Sequence, residues 1–149
     1  MNLVAGVGGR RRARECALQV LYALDTKAAL GSAEAADEAL EHFWRGLGDE
    51  KDPAVIQFCE TLVRGVALRM AEIDALLHQA SRNWRLERMA RVDRNILRMA
   101  IYELRLAGEV PAKVVINEAI EVAKRFGTAE SPAFVNGLLD RILQEGGVA

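Results

Sequence analysis

The chain contains 149 residues, of which 51% are hydrophobic and 28% are charged, and its formal net charge is −1. This length and composition favour one folded domain with a substantial core and exclude a disordered polypeptide. Because the net charge is close to zero, any binding of nucleic acid must come from a local basic patch. Four arginines lie within the first 25 residues, so this segment is the candidate patch.

The first predicted element is an amphipathic helix that follows a flexible, glycine-containing lead (residues 1–8) and ends near Lys27. One face repeats apolar residues at steps of three and four, which is the spacing of a buried helix face: Ala13, Cys16, Ala17, Val20, Leu21 and Leu24. The opposite face carries Arg11, Arg12, Glu15, Gln19 and Tyr22, and Arg14 lies at the border.

The arginines of this helix, Arg10, Arg11, Arg12 and Arg14, lie in its first turns. Cations there oppose the helix dipole at about 0.3–1 kcal/mol each, so helix stability does not explain them. One interpretation is a charged surface that keeps the terminus soluble. The other is a phosphate-binding patch, in which Gln19 contacts base edges and Tyr22 offers a ring for stacking. We favour nucleic acid, and single-stranded RNA within that class.

The rest of the chain predicts further helices and no strands, because no segment shows sustained two-residue alternation. Helical spacing of apolar residues covers 32–47, 53–79, 92–107, 113–126 and a last stretch from 131. Ser32 and Asp52 are predicted N-caps, and Gly108 is a predicted helix stop. The predicted fold is an all-α bundle of about six to seven helices in two sub-bundles (about 9–80 and 84–145), with a seam near 80–85.

Sequence motifs give little support to catalysis. The two histidines, His42 and His78, are far apart, and no GxSxG, Walker or HExxH motif is present. Cys16 and Cys59 lack the spacing of a metal site and are expected to be buried, reduced thiols. We therefore expect no metal and no cofactor. The absence of a membrane-spanning apolar run and of a signal peptide predicts a cytoplasmic location.

A second candidate segment joins the last two predicted helices, at residues 126–137. Phe126 and Phe134 are either core residues, which their periodicity favours, or exposed rings for stacking. Ser131 and Asn136 could supply hydrogen bonds. Gly137 lies inside a predicted helix, where glycine is about 1 kcal/mol less favourable than alanine. Either tight helix packing at Gly137 or a polar loop followed by a helix start would explain this glycine.

Several stretches together resemble the bacterial transcription antitermination factor NusB family. They span nearly the whole chain and comprise Arg10 to Tyr22 (RRRARECALQVLY), Arg91 to Leu104 (RVDRNILRMAIYEL), Pro111 to Ile116 (PAKVVI), Asn117 to Gly127 (NEAIEVAKRFG) and Phe134 to Asp140 (FVNGLLD). Only the glycine-rich lead and the stretch from about 28 to 53 carry no family signature.

The resemblance implies an all-helical, non-catalytic protein that binds the boxA element of nascent ribosomal-RNA transcripts. Binding would occur together with NusE, a small-subunit ribosomal protein, within an RNA-polymerase antitermination complex. Matching positions imply that the arginine helix faces RNA with Gln19 and Tyr22. They also imply that this surface continues through Phe126, Glu130, Ser131, Phe134 and Asn136, which reverses the core interpretation of the two rings. Asp93 falls in the region that meets NusE, and the carboxylate of Glu130 would temper RNA affinity.

Two other functions stay open at this point. The same fold could be an accessory domain of an RNA methyltransferase, although the chain is too short to hold a methyl-donor domain. It could instead be a helical adaptor whose arginines only solubilise it, which predicts no RNA affinity. Monomer and homodimer are both compatible with the sequence, and a homodimer that buried the arginine helix would be autoinhibitory.

Overall fold

The computed structural model describes residues 7–46, 50–82 and 84–145. These residues form seven α-helices, with no strand among them, so the predicted all-α fold is confirmed. The helices are α1 (Val7–Thr26), α2 (Ala33–Gly46), α3 (Pro53–Leu68), α4 (Met70–Ala80), α5 (Arg91–Ile101), α6 (Ala112–Phe126) and α7 (Ser131–Glu145). A 3-10 helix (Leu86–Arg88) precedes α5, and a π-helix (Tyr102–Ala107) follows it.

The chain folds as two compact units, residues 1–68 with α1 to α3 and residues 69–149 with α4 to α7. The boundary therefore falls earlier than the seam expected near 80–85. The prediction of one continuous helix over 53–79 is wrong, because the backbone at Arg69 leaves the helical region (φ −112°, ψ 23°). Helix α3 packs on α1 and α2, whereas α4 packs on α5 and α7. Periodicity did not reveal the break because both halves carry a buried stripe.

Side-chain caps define the starts of α2 and α3, as predicted. The Ser32 hydroxyl accepts a hydrogen bond from the backbone N–H of Ala35 (3.1 Å), which caps α2. The Asp52 carboxylate accepts one from the N–H of Ala54 (3.0 Å), which caps α3. The start of α1 differs from the prediction, because Gly8 already lies inside the helix. Residues 1–6 of the predicted lead lie outside the described residues, as does Leu47, which was expected at the end of α2.

The core of the first unit is built on α1. Every residue of its predicted apolar face is buried, which confirms that face. Leu18, Arg14 and Glu15 are buried as well, so the outward placement of Glu15 was wrong. The buried arc is wide because α1 packs against both α2 and α3.

The second unit surrounds α5, which packs on α4, α6 and α7 and is buried on nearly all sides. The Arg98 guanidinium lies inside this core and pairs twice with Asp74 of α4 (Nε–Oδ1 2.8 Å, Nη2–Oδ2 3.1 Å). Its Nη1 also donates to Oδ1 of Asn95 (2.9 Å). These bonds offset the cost of burying the charge. The helical stretch ends at Gly108, as predicted, where φ is +65° and glycine is favoured.

Candidate nucleic-acid interface

The arginine cluster (Arg10, Arg11, Arg12 and Arg14) is held on α1 by an aromatic ring from α3. The guanidinium carbon of Arg10 lies 4.4 Å from the centroid of the Phe58 ring, and that of Arg14 lies 5.3 Å from it. Both distances are within the range of cation–π attraction. Phe58 is half-buried and lies on the helix that the sequence predicts over 53–79. Its contact with α1 could not be found from local spacing.

The four arginines differ in how much of their surface is accessible. Arg10, Arg11 and Arg12 are partly exposed, whereas Arg14 retains only 3% of its surface. The first three can therefore present guanidinium groups to a phosphate. Arg14 is placed to fix Phe58, and through it Arg10.

Arg12 also contacts a carboxylate of the first unit. Its Nε lies 3.5 Å from Oε1 of Glu50, and both side chains are partly exposed. Oε2 of Glu50 accepts hydrogen bonds from the backbone N–H groups of Lys51 (3.2 Å) and Asp52 (3.1 Å), which precede α3. The Glu50 carboxylate is thus held in front of α3, next to the Arg12 guanidinium.

Gln19 and Tyr22 both reach solvent, as their predicted roles require. Tyr22 is 42% exposed, and the amide of Gln19 is in loose contact with the Glu15 carbonyl (3.4 Å). Gln19 also lies at the rim of a groove of about 450 Å³ between α1 and α2. A ring and an amide are therefore available two to three helical turns beyond the arginines.

The residues predicted from the second unit lie where α6 ends and α7 begins. Glu130 and Asn136 are exposed, and Phe126 and Phe134 are half-buried, so each ring keeps an accessible part. The guanidinium of Arg125 lies 5.2 Å from the Phe126 centroid. The interpretation of Phe126 and Phe134 as fully buried core is therefore not supported.

Ser131 has a structural place in this turn. It is 1% exposed, and its hydroxyl accepts a hydrogen bond from the backbone N–H of Thr128 (2.9 Å). A Cβ added to Gly127 would overlap the Ser131 hydroxyl and lie 2.9 Å from the Ala123 carbonyl oxygen. The α6–α7 turn is thus closely packed at Gly127. A Cβ added to Gly137, in contrast, would meet no neighbouring described atom within 4 Å, so the described structure leaves room for a side chain there.

Trp84 contributes a further aromatic ring that the sequence analysis did not single out. It lies before the 3-10 helix and contacts Phe134 edge to face, with ring centroids 5.8 Å apart and an interplanar angle of 86°. A signal for it was present in the sequence, because Trp84 interrupts a stretch rich in arginine. Its neighbour in space, 50 residues away, was not visible there.

Asp93 lies in the first turn of α5 and is 8% exposed. One of its carboxylate oxygens, Oδ1, is buried and has no hydrogen-bond partner among the described residues. A buried carboxylate oxygen without a donor is costly, and a donor from a binding partner would relieve that cost. The expected contact of Asp93 with NusE stays a prediction.

Within the ranges 7–46, 50–82 and 84–145, no group of three or more histidine, cysteine, aspartate or glutamate side chains is arranged to hold a metal ion. No helix in that part of the chain has the length and apolar character needed to cross a membrane.

Comparison with known protein families matches residues 11–144 to the family described as the NusB family. The chain belongs to the NusB family. A relative named transcription antitermination protein NusB, from Myxococcus xanthus, is 48% identical over 138 residues, which cover 91% of this chain and 95% of the relative. Another of the same name, from Anaeromyxobacter dehalogenans, is 50% identical over 133 residues and covers 89% of each chain.

Solved structures of NusB proteins share this fold. A structure of T. maritima NusB is 35% identical, has a TM-score of 0.76 and covers 91% of each chain. A crystal structure of the antitermination factors NusB and NusE in complex with dsRNA matches with a TM-score of 0.78, covering 94% of this chain and 99% of the other. At 24% identity the second likeness establishes the fold alone.

Proposed function

We propose that this NusB-family chain is a transcription antitermination factor that binds boxA-type single-stranded RNA. It acts together with NusE in the RNA-polymerase antitermination complex, in the cytoplasm and without a catalytic step. The observation that carries this proposal is the arginine cluster at the start of α1, in which Arg10, Arg11 and Arg12 are partly exposed and Phe58 of α3 contacts Arg10 and Arg14. Such a patch suits a polyanion, and its charges oppose the dipole of the helix that carries them.

The relatives support the same function. The two curated relatives described above are both named transcription antitermination protein NusB, and this chain covers 95% and 89% of their lengths. Neither relative is named as a methyltransferase. The solved complex of NusB and NusE with dsRNA supports RNA and NusE as the partners.

Phosphate contacts would supply most of the affinity. Arg10, Arg11 and Arg12 are the accessible guanidinium groups, and each can form paired hydrogen bonds with phosphate oxygens. Phe58 would position Arg10 before RNA arrives, and Arg14 would fix Phe58 from the buried side. Because phosphate binding releases counterions, affinity should fall as the salt concentration rises.

Base preference would come from polar groups and rings in both units. Gln19 and Asn136 are exposed amides that can pair with base edges, and Tyr22, Phe126 and Phe134 carry accessible rings for stacking. The exposed carboxylate of Glu130 would repel phosphate and limit affinity. We assign Ser131 to the support of the α6–α7 turn, since its hydroxyl is buried and already accepts a hydrogen bond.

NusE would bind at the first turn of α5, where a donor could satisfy the unpaired oxygen of Asp93. Asp93→Asn is then expected to change NusE affinity without changing the affinity of the chain alone for RNA. A pull-down and an RNA titration on the same variant would separate the two contacts.

The test of the proposal is fluorescence anisotropy of a labelled boxA-like RNA, compared with a scrambled RNA of equal length and composition. Both are titrated at low and high salt, with and without NusE. We expect preferential binding of the boxA-like RNA, tightened by NusE. Weak binding that is indifferent to sequence and to NusE would support a helical adaptor instead.

A further inference from the structure

Trp84 is an exposed aromatic ring on a fixed segment. It is 45% exposed, although tryptophan is on average among the more buried residues. Its backbone N–H donates to the Ser81 carbonyl (3.1 Å), and the Ser81 hydroxyl lies 3.4 Å from the Trp84 carbonyl oxygen. The preceding turn is tied to α7, because Arg141 Nη1 donates to the Ala80 carbonyl (2.6 Å).

The contact with Phe134 leaves ring surface available. In an edge-to-face pair the edge of one ring meets one face of the other, so most of the four ring faces are not covered by the pair itself. Trp84 is nearly half exposed and Phe134 is half-buried. The pair therefore presents aromatic surface to solvent from two elements that are held together.

The charge around Trp84 selects the kind of ligand. The nearby exposed side chains Arg82, Arg85 and Arg88 carry three positive charges in seven residues, and one negative charge, that of Glu87, pairs with Arg85 (3.0 Å). An aromatic ring flanked along the chain by cations suits an unpaired base whose neighbouring phosphates lie on either side. An apolar protein surface would gain nothing from these charges.

We infer that Trp84, together with Phe134, forms a stacking site for an unpaired base of the RNA, bounded by the arginines of residues 82–88. This inference rests on the proposed function and adds a residue to it. Phe134 was expected at the RNA surface from family resemblance alone, and Trp84 lies directly against it. Because the site is built from fixed elements, little side-chain entropy is lost on binding.

The first experiment follows Trp84 fluorescence. The chain has one other tryptophan, Trp44. Trp44→Phe therefore leaves Trp84 as the only indole and keeps an aromatic ring beside Phe43. Titration of this full-length variant with boxA-like single-stranded RNA should quench Trp84 emission, with a midpoint equal to the Kd from anisotropy. Emission that is unchanged while anisotropy reports binding would overturn the inference and leave the proposed function intact.

The second experiment separates stacking from packing. Trp84→Phe and Trp84→Leu both keep an apolar contact with Phe134, but only Phe keeps an aromatic face. We expect Trp84→Leu to weaken RNA binding by about 5-fold to 150-fold, which corresponds to the loss of one stacked base, and Trp84→Phe to keep most of the parent affinity. Far-UV circular dichroism and thermal unfolding confirm that both variants are folded.

The possible results distinguish the two proposals. Equal affinities for Trp84→Leu, Trp84→Phe and the parent chain would show that the ring only covers the core, which overturns the inference. If Trp84→Leu binds RNA with the parent affinity but no longer binds NusE, this surface is a protein contact, and the inference is overturned as well. If no RNA binds the parent chain with or without NusE, both the inference and the proposed function fail.

Discussion

The contact between Arg12 and Glu50 predicts that removing one negative charge tightens RNA binding. The Arg12 Nε and the Glu50 carboxylate are 3.5 Å apart, with side chains 36% and 21% exposed. A pair with this exposure contributes about 0–1 kcal/mol, and RNA must give up that attraction to engage Arg12 fully. A phosphate bound by the same guanidinium would lie about 7 Å from the carboxylate and be repelled by about 0.6 kcal/mol in water.

Glu50→Gln should therefore improve RNA affinity by about 2-fold to 10-fold at low salt. The gain should shrink as the salt concentration rises, because salt screens both the Arg12–Glu50 attraction and the repulsion between Glu50 and the phosphate. Folding stability should fall by no more than about 1 kcal/mol, because the amide oxygen of glutamine can still accept from the backbone N–H groups before α3. Affinity is measured by anisotropy and stability by urea unfolding.

The control for this variant is Glu38→Gln, which removes the same charge from the exposed face of α2. It should change RNA affinity by less than about 2-fold. Unchanged or weaker RNA binding by Glu50→Gln at low salt, with normal stability, would refute the reasoning. Glu50 would then position Arg12 for RNA instead of competing with it.

Three further predictions test the arginine cluster, the α6–α7 turn and the core. Arg12→Ala should weaken binding to all single-stranded RNAs and reduce the slope of log affinity against log salt concentration by about 0.7. Arg64→Ala removes an exposed arginine of α3 and should change neither quantity. Equal slopes for the two variants would exclude a phosphate contact at Arg12. Gly127→Ala should lower the free energy of unfolding by about 1–3 kcal/mol through overpacking. Gly137→Ala should raise it by about 0.5–1 kcal/mol, because alanine is the better helix former. If urea unfolding shows the same change in free energy for both variants, the packing described here is contradicted. Burial raises the pKa of the Cys59 thiol and keeps the thiol protonated at neutral pH. Iodoacetamide should therefore alkylate Cys59 only as the chain unfolds in urea. Rapid alkylation of the native chain would contradict the burial of Cys59.

Local sequence signals were sufficient for most of the fold. The apolar stripe of α1, the caps at Ser32 and Asp52 and the stop at Gly108 depend on residues within one or two turns, and each is present as predicted. The break at Arg69 was missed, because it depends on which helices α3 and α4 pack against. A periodic pattern identifies a buried face but not the partner that buries it.

The candidate site shows the same limit. The arginine cluster was recognised because its charges oppose the dipole of their own helix. Phe58 and Glu50, which contact those arginines, come from a segment about 40 residues later, and their contacts depend on the packing of this segment against α1. The burial of Ser131 depends likewise on the close approach of α6 and α7 at Gly127. Residue chemistry identified most of the candidate residues, family resemblance added Asp93 and Glu130, and the structure separates accessible groups from supporting ones.

The most direct test of the proposed interface is photo-crosslinking of a 4-thiouridine boxA-like RNA to the chain in the presence of NusE, with crosslinked peptides identified by mass spectrometry. We predict crosslinks in the first turns of α1 and in residues 126–136, reduced by Arg12→Ala and unaffected by Arg64→Ala. Crosslinks confined to the acidic outer face of α2, or equal crosslinking in both arginine variants, would contradict the account.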